Sequence, residues 1–475
     1  MFELHHLTAL EQWDWIRRGD VTAAELVDHY LARIERLDPG LGAFVTVTAD
    51  AARHRARTLA AQVRTSAPLF GLALGDKDLE RRAGVRTTFG SRLFQDFVPD
   101  VSDEVVAVRD AAGAISLGKT NTPEFGMPAY TENRVAGPAR NPYDTTLGAG
   151  GSSGGAATAV AAGLLPFAPG SDGGGSVRIP AAATGLVGLK PSRGTLAAGS
   201  AIDKLAGLPV PGPLARTVSD AALLLEGMLQ RDAHGRVPRP FTLRAPDLEE
   251  SLLGPAVRGE GRFSIAVMTT SPWDNAYEIT LDPEASAALE VAIAELTAVG
   301  HGLEEFALPE QDVYAPAFRT IWQAGASALP VEGDDVDRLE PLTAWLVRRG
   351  RELPVRQLVE ALAQLAAFER DIVARFAPFD AVLTPALALT PRPVGWYDAE
   401  DGERNFAQQV QYTPYTSFVN VTGLPAISLP VHVTPEGLPM GVQLVGRPGG
   451  EATLLAIGAQ LERRLQWHRR HPPQW

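Results

Sequence analysis

Residues 148–180, GAGGSSGGAATAVAAGLLPFAPGSDGGGSVRIP, constrain this chain more than any other stretch. They are dense in glycine, yet apolar and without charge before Asp172. A disordered linker would be polar and would not contain the helical run AATAVAAGLL. A glycine-rich segment that is also well packed implies backbone held close to a ligand. Ser152 and Ser153, followed by Gly154 and Gly155, directly precede the helical run and so stand at a helix N-terminus. A simple N-cap accounts for one serine and leaves the glycines unexplained. Further on, Asp172-Gly173-Gly174-Gly175-Ser176 places successive N–H groups beside a hydroxyl. Glycines let several N–H groups converge on one point, which an oxyanion hole requires. A plain turn needs only one or two glycines, and here the run leads into the restrictive Val177-Arg178-Ile179-Pro180.

The flanking sequence alternates helical and strand patterns. Thr22 to Glu25 form a capping box, and Leu26, Tyr30, Ile34 and Leu37 recur at helical spacing until Asp38-Pro39-Gly40. Residues 43–47 read as a strand, 49–63 as a helix, and 72–74 as a short strand running into Gly75-Asp76-Lys77-Asp78. Residues 105–112 read as helix, 114–117 as strand, 217–230 and 283–299 as helices, and 334–377 as strongly helical. Residues 381–383, 426–429 and 441–444 read as strands and 452–465 as a last helix. Residues 231–260, polar and proline-rich, suggest a boundary or surface excursion. Strands alternating with helices imply an α/β layer fold with helices on the sheet faces.

Several function classes are disfavoured. A net charge of −13 over 475 residues argues against a nucleic-acid groove and against docking on anionic membranes. There are no cysteines, so disulfides, thiolate metal sites and a Cys nucleophile are excluded. Metal signatures are otherwise lacking beyond Glu3-Leu4-His5-His6, and no cofactor is expected. The start, MFELHHLTALEQWDW, has no basic segment leading into an apolar run, and no stretch is long and apolar enough to span a bilayer, so a cytoplasmic location is the expectation. A literal phosphate-loop pattern, Gly113 to Thr120, is rejected because its middle residues are apolar and strand-like, and Pro123 spoils the helix start that should follow. Gly150-Gly151-Ser152-Ser153-Gly154 fits a nucleophile elbow. However, none of the later histidines, His234, His301, His432, His468 and His471, sits in a convincing catalytic loop. Lysine is scarce, occurring only at Lys77, Lys119, Lys190 and Lys204, with arginine supplying every other basic side chain. Arginine cannot lose its proton whereas a buried lysine can, so a surviving lysine marks a candidate site for an amine.

At this point the chain resembles the amidase signature family. The resemblance rests on the Gly-Gly-Ser-Ser-Gly-Gly block and the Asp172–Pro180 block, whose serines 152 and 176 lie 24 residues apart. Further matches are Lys77 in Gly75–Asp78, Gly118–Glu124, Asn141–Asp144, Gly188–Pro191, Gly212–Val218, Gly423–Ala426 and Gly441–Gln443. The resemblance implies one amidase domain over residues 1–475, a large mixed β-sheet covered by helices on both faces, with a less recognisable region at about 231–375. It implies Ser176 as nucleophile, Ser152 as bridging serine after a cis peptide, and Lys77 as base. Backbone N–H groups of Gly173, Gly174 and Gly175 would form the oxyanion hole, with Ser153, Asp172 and Arg178 as supports. Lys77 works as a base only when neutral, so Asp76 and Asp78 should point away from it. Gly173 departs from the branched residue common in the family and should loosen its loop unless packing compensates. The implied partner is a small-molecule amide, its pocket drawing on Phe125, Met127, Tyr130, Trp322 and residues near 384–420. Oligomeric state is not legible, a homodimer being one option. Two rival readings share the fold. One is the glutaminase component of a tRNA-dependent amidotransferase, against which Ile179 stands where that component carries Gln. The other is a non-catalytic scaffold.

Overall fold

The structure is a computed structural model that describes residues 3–60, 67–196, 205–229, 251–473 and 475. Its centre is an eight-stranded mixed sheet. In spatial order the strands are Gly302–Glu305, Ser264–Val267, Ala381–Pro385, Pro439–Gly446, Ala426–Val433, Val187–Lys190, Val210–Ala215 and Phe167–Asp172. The first three are parallel and every later pairing is antiparallel. Alternation along the central strands sends side chains to two separate cores. Ile427, Leu429, Val442 and Leu444 face one core with the helices Pro283–Val299 and Glu451–Leu465. Ala426, Val445 and Val382 face the other, an aromatic layer containing Phe318, Phe368, Phe406 and Phe418. The sheet is therefore covered on both faces, as expected.

A second sheet carries the lysine. Phe44–Val47, Ile115–Thr120 and Ala73–Lys77 pair in that order, and Ala73–Lys77 lies beside the terminal strand Phe167–Asp172 of the main sheet. Lys77 thus ends a buried strand; the sequence pattern had stopped that strand at 74. The phosphate-loop pattern is a strand, and fully buried Lys119 donates to the Glu80 carbonyl and to Thr87 Oγ1 at 3.1 Å. Thr22 caps its helix through the expected reciprocal box with Glu25, but that helix runs through Pro39 to Leu41. Pro39 falls in the last turn, where Gly42 at φ 66° closes the helix, and Asp38 Oδ1 accepts from the Ala43 N–H at 2.6 Å. Residues 334–377 divide into Gly333–Arg338, Pro341–Arg351 and Val355–Phe376. Within the supposed excursion, Leu253–Arg258 is helical, and residues 231–250 lie outside the described residues, as do Lys204, His234, Gln230 and residues 61–63. No helix among the described residues is long and apolar enough to cross a membrane.

The dense glycines are of two physical kinds. A Cβ on Gly151 would sit 2.5 Å from the Tyr130 backbone, one on Gly154 2.3 Å from Thr131 Oγ1, and one on Gly155 2.2 Å from the Asn121 nitrogen. Those three serve close packing within the protein, not approach to a ligand. Gly173 and Gly174 differ: a Cβ there would meet Trp322 only at ordinary contact, 3.7 and 3.8 Å.

Candidate active site

Lys77 is fully buried, and its Nζ lies 2.8 Å from Ser152 Oγ, 2.9 Å from Ser153 Oγ and 3.1 Å from Ser171 Oγ. Burial pushes its pKa down to about 7, against the opposing pull of Glu80 and Asp172. Both flanking carboxylates are engaged elsewhere, as strand alternation requires. Asp76 accepts from Arg82 at 2.6 Å, Arg109 at 2.9 Å and Ser116 at 2.7 Å. Burial alone would raise the Asp76 carboxyl, but the two guanidiniums hold it well below the usual range. Asp78 accepts from the Thr88 hydroxyl at 2.5 Å and faces Lys119 at 3.4 Å. Ser171 was missed at the sequence level; it sits one residue before the Asp172 block on the strand that runs beside Lys77.

Ser152 follows a cis Gly151–Ser152 peptide, and its carbonyl accepts from Thr122 Oγ1 at 3.0 Å. Ser153 occupies the N-cap of the helix Gly154–Ala161 without making a side-chain cap; its hydroxyl turns to Lys77 instead. Its N–H donates to the Ser176 carbonyl at 3.1 Å, tying the two serine blocks together.

Asp172 and Arg178 shape the loop between them. Arg178 donates from Nε to Asp172 Oδ2 at 3.0 Å and from Nη2 to Oδ1 at 2.9 Å, with both side chains fully buried. Burial would raise the Asp172 carboxyl; Arg178 overrides it and keeps the group ionised. The Gly175 N–H donates to Asp172 Oδ1 at 2.7 Å and the Val177 N–H to Oδ2 at 3.1 Å. Gly175, expected as a third oxyanion donor, therefore already has an acceptor. Among the described hydrogen bonds, the N–H groups of Gly173, Gly174 and Ser176 have none within the protein. The third glycine does not leave the loop loose. Thr416 Oγ1 donates to the Gly174 carbonyl at 2.6 Å, Asn420 Nδ2 donates to the Asp172 carbonyl at 2.7 Å, and Trp322 packs over Gly173 and Gly174. Thr416 and Asn420 carried no signal in the sequence, whereas Gln443, which accepts from Arg178 at 2.5 Å, lay in a quoted motif.

Arg178→Met removes the counter-charge of a carboxylate with no access to water. Breaking a buried pair from one side costs about 3–5 kcal/mol. The expected result is a drop of that size in unfolding free energy, measured by urea titration.

Ser152, Ser171, Gly173 and Ser176 open onto a cavity of about 540 Å³ whose wall includes Phe125, Met127 and Trp322. A second cavity of about 60 Å³ meets it at Ser176 and is lined by Phe406, Gln409, Val410, Thr413 and Ser417 among others. Tyr130, expected in the wall, lines neither; it stacks on Tyr397 at 4.0 Å and receives a hydrogen bond from Asn405. No described histidine lines either cavity: His432 pairs with Glu284 at 2.9 Å and His301 with Gln460 at 2.7 Å. One group of described residues has the spacing to hold a metal, Glu3, His5 and His29, and it too lies outside both cavities.

Ser152, in contact with the buried Lys77 amine, opens with Ser176 onto one cavity beside a mixed sheet covered on both faces, an arrangement suited to serine-dependent acyl transfer. The sequence profile of the Amidase family matches residues 25–455. The chain is 39% identical over 464 residues to the putative amidase AmiB2 of Mycobacterium tuberculosis strain ATCC 25618 / H37Rv, covering 96% of this chain and 95% of that one. It is 35% identical to one of the subunits of the glutamyl-tRNA(Gln) amidotransferase of Moorella thermoacetica, covering 99% of each. Among solved structures, 6-aminohexanoate cyclic dimer hydrolase in complex with substrate superposes with a TM-score of 0.87 at 28% identity, covering 99% of this chain and all of that one. The chain belongs to the amidase family.

Proposed function

We propose that this chain hydrolyses a carboxamide through an acyl-enzyme on Ser176, with Ser152 and Lys77 as the proton relay. The observation that carries the reading is the Lys77–Ser152 contact of 2.8 Å, made by a buried amine whose pKa is pushed down to about 7 to a serine that lines the same cavity as Ser176. A serine hydroxyl needs an adjacent base to act as a nucleophile at neutral pH. Neutral Lys77 takes a proton from Ser152 as Ser152 takes one from Ser176. The Ser176 oxygen bonds to the carbonyl carbon, and the resulting oxyanion receives N–H groups of the Gly173–Ser176 loop. One such donor is worth about 3–4 kcal/mol. Collapse breaks the C–N bond, and Ser152 passes its proton to the departing nitrogen and recovers one from Lys77. Water then attacks the ester, giving its proton through Ser152 to the neutral Lys77, which returns it through Ser152 to Ser176 as the acid leaves. Ser153 and Ser171 hold the amine in line.

The test uses the purified chain with small amides and hydroxylamine. Amine release should come with hydroxamate formation, and a fluorophosphonate should label Ser176. Amide turnover with Ser176 unlabelled would show that another group attacks. The relationship to the Moorella protein supports a second reading, a glutaminase working within a complex; it predicts that the chain alone leaves simple amides intact.

A further inference from the structure

We propose that the substrate joins a short apolar acyl group to a bulky apolar amine, the amine lying in the large cavity and the acyl group in the small one. This rests on the serine relay above. The two cavities share the wall formed by Trp322 and Met127 and meet at Ser176, but only the larger is also lined by Ser152. The proton that Ser152 delivers must reach the nitrogen as the C–N bond breaks. The nitrogen and its substituent therefore leave on the side where Ser152 is exposed. The Ser176–acyl bond that forms at the same carbon leaves the acyl group in the other cavity, until water adds and returns its proton through Ser152 to Lys77.

Size and chemistry then assign the two halves. The acyl side, at about 60 Å³, is the smaller of the two and suits only a short group. Its polar side chains are already partnered. Gln409 accepts from the Ala129 N–H and donates to Asn405, both at 2.7 Å, Thr413 donates to the Gln409 carbonyl at 2.9 Å, and Ser417 bonds Trp273 at 3.0 Å and Tyr314 at 2.8 Å. The amine side, at about 540 Å³, has no charged side chain among its described lining, and Leu79, Phe125, Ile321 and Leu329 make it apolar. Gly325 on the helix Tyr314–Ser327 also faces it, and a Cβ there meets nothing within 4 Å.

The test compares two reversed amides of identical composition and similar intrinsic reactivity, N-benzylacetamide and N-methyl-2-phenylacetamide. The expected kcat/KM favours N-benzylacetamide by about tenfold or more, the scale on which an apolar pocket discriminates. Gly325→Phe should lower kcat/KM for N-benzylacetamide by at least as much relative to acetamide. If N-methyl-2-phenylacetamide is the better substrate, or neither amide is cleaved while a fluorophosphonate still labels Ser176, the assignment of the cavities is overturned and the relay stands. If neither amide is cleaved and Ser176 is unlabelled, the relay fails and takes this proposal with it.

Discussion

Ser176→Ala should abolish amide turnover, with kcat falling by roughly 10⁴- to 10⁶-fold, the range seen when a hydrolytic nucleophile is deleted from an otherwise intact site. The fold should not change. The main-chain carbonyl of residue 176, which accepts from Ser153, survives the substitution, as do the Asp172 bonds to Gly175 and Val177. No described hydrogen bond depends on the Ser176 hydroxyl, so alanine leaves no partner stranded. The paired measurement is turnover of a chromogenic amide and the urea midpoint of the same preparation. An unchanged midpoint with turnover above a hundredth of the starting rate would remove Ser176 from the chemistry.

Lys77→Arg should be as inactive as Lys77→Ala, each losing about 10²- to 10⁴-fold in kcat, the usual contribution of a positioned base. A guanidinium keeps the charge but cannot give up its proton, and the base must be neutral to accept one. The pH profile carries the same information. With Lys77 titrating at about 7, its neutral fraction grows with pH, so kcat/KM should rise close to tenfold per unit below pH 7 and level off above it. The stability sign follows from the same shift. An ordinary lysine titrates near 10.4, so between about pH 7 and 10 the unfolded chain holds a proton at residue 77 that the folded chain does not. This one group therefore makes the fold more stable as pH rises through that window. Near-normal activity in Lys77→Arg, or a profile flat from pH 5 to 8, would remove the neutral amine from the mechanism.

The two serine blocks were legible because their residues are contiguous in the chain and glycine has few reasons to cluster so densely among apolar neighbours. Lys77 lies far from them in sequence; the chain's scarcity of lysine marked four candidate amines, and the family resemblance picked Lys77 among them. All three described lysines prove fully buried. Burial gives Lys190, like Lys77, a pKa pushed down to about 7, although its Nζ only donates to the Pro191 carbonyl at 2.8 Å. Scarcity therefore marked buried amines, and only one of them meets a cavity serine. The strands Phe167–Asp172 and Val210–Ala215 were missed because they break the usual compositional rules. Pro169, Pro211 and Pro213 lie within them, and proline removes a ladder donor. They pair at one end of the sheet, Pro169 opposite Pro213 and Ser171 opposite Pro211. Ser171 was lost with its strand. Tyr130 was misplaced for a different reason: an aromatic side chain suits a core or any cavity wall, and Tyr130, stacked on Tyr397, lines a separate cavity of about 180 Å³ rather than the one at Ser176.

The tight contacts at Gly151, Gly154 and Gly155 fix the serine-bearing backbone to Tyr130, Thr131 and Asn121, with no room for a methyl group. The opposite wall belongs to a separate helix, Tyr314–Ser327, where Gly325 has open space around it. Machinery and mould are thus carried by different parts of the chain. A lineage can recast the shape of the molecule it consumes by altering that helix, while the reacting floor stays locked in place.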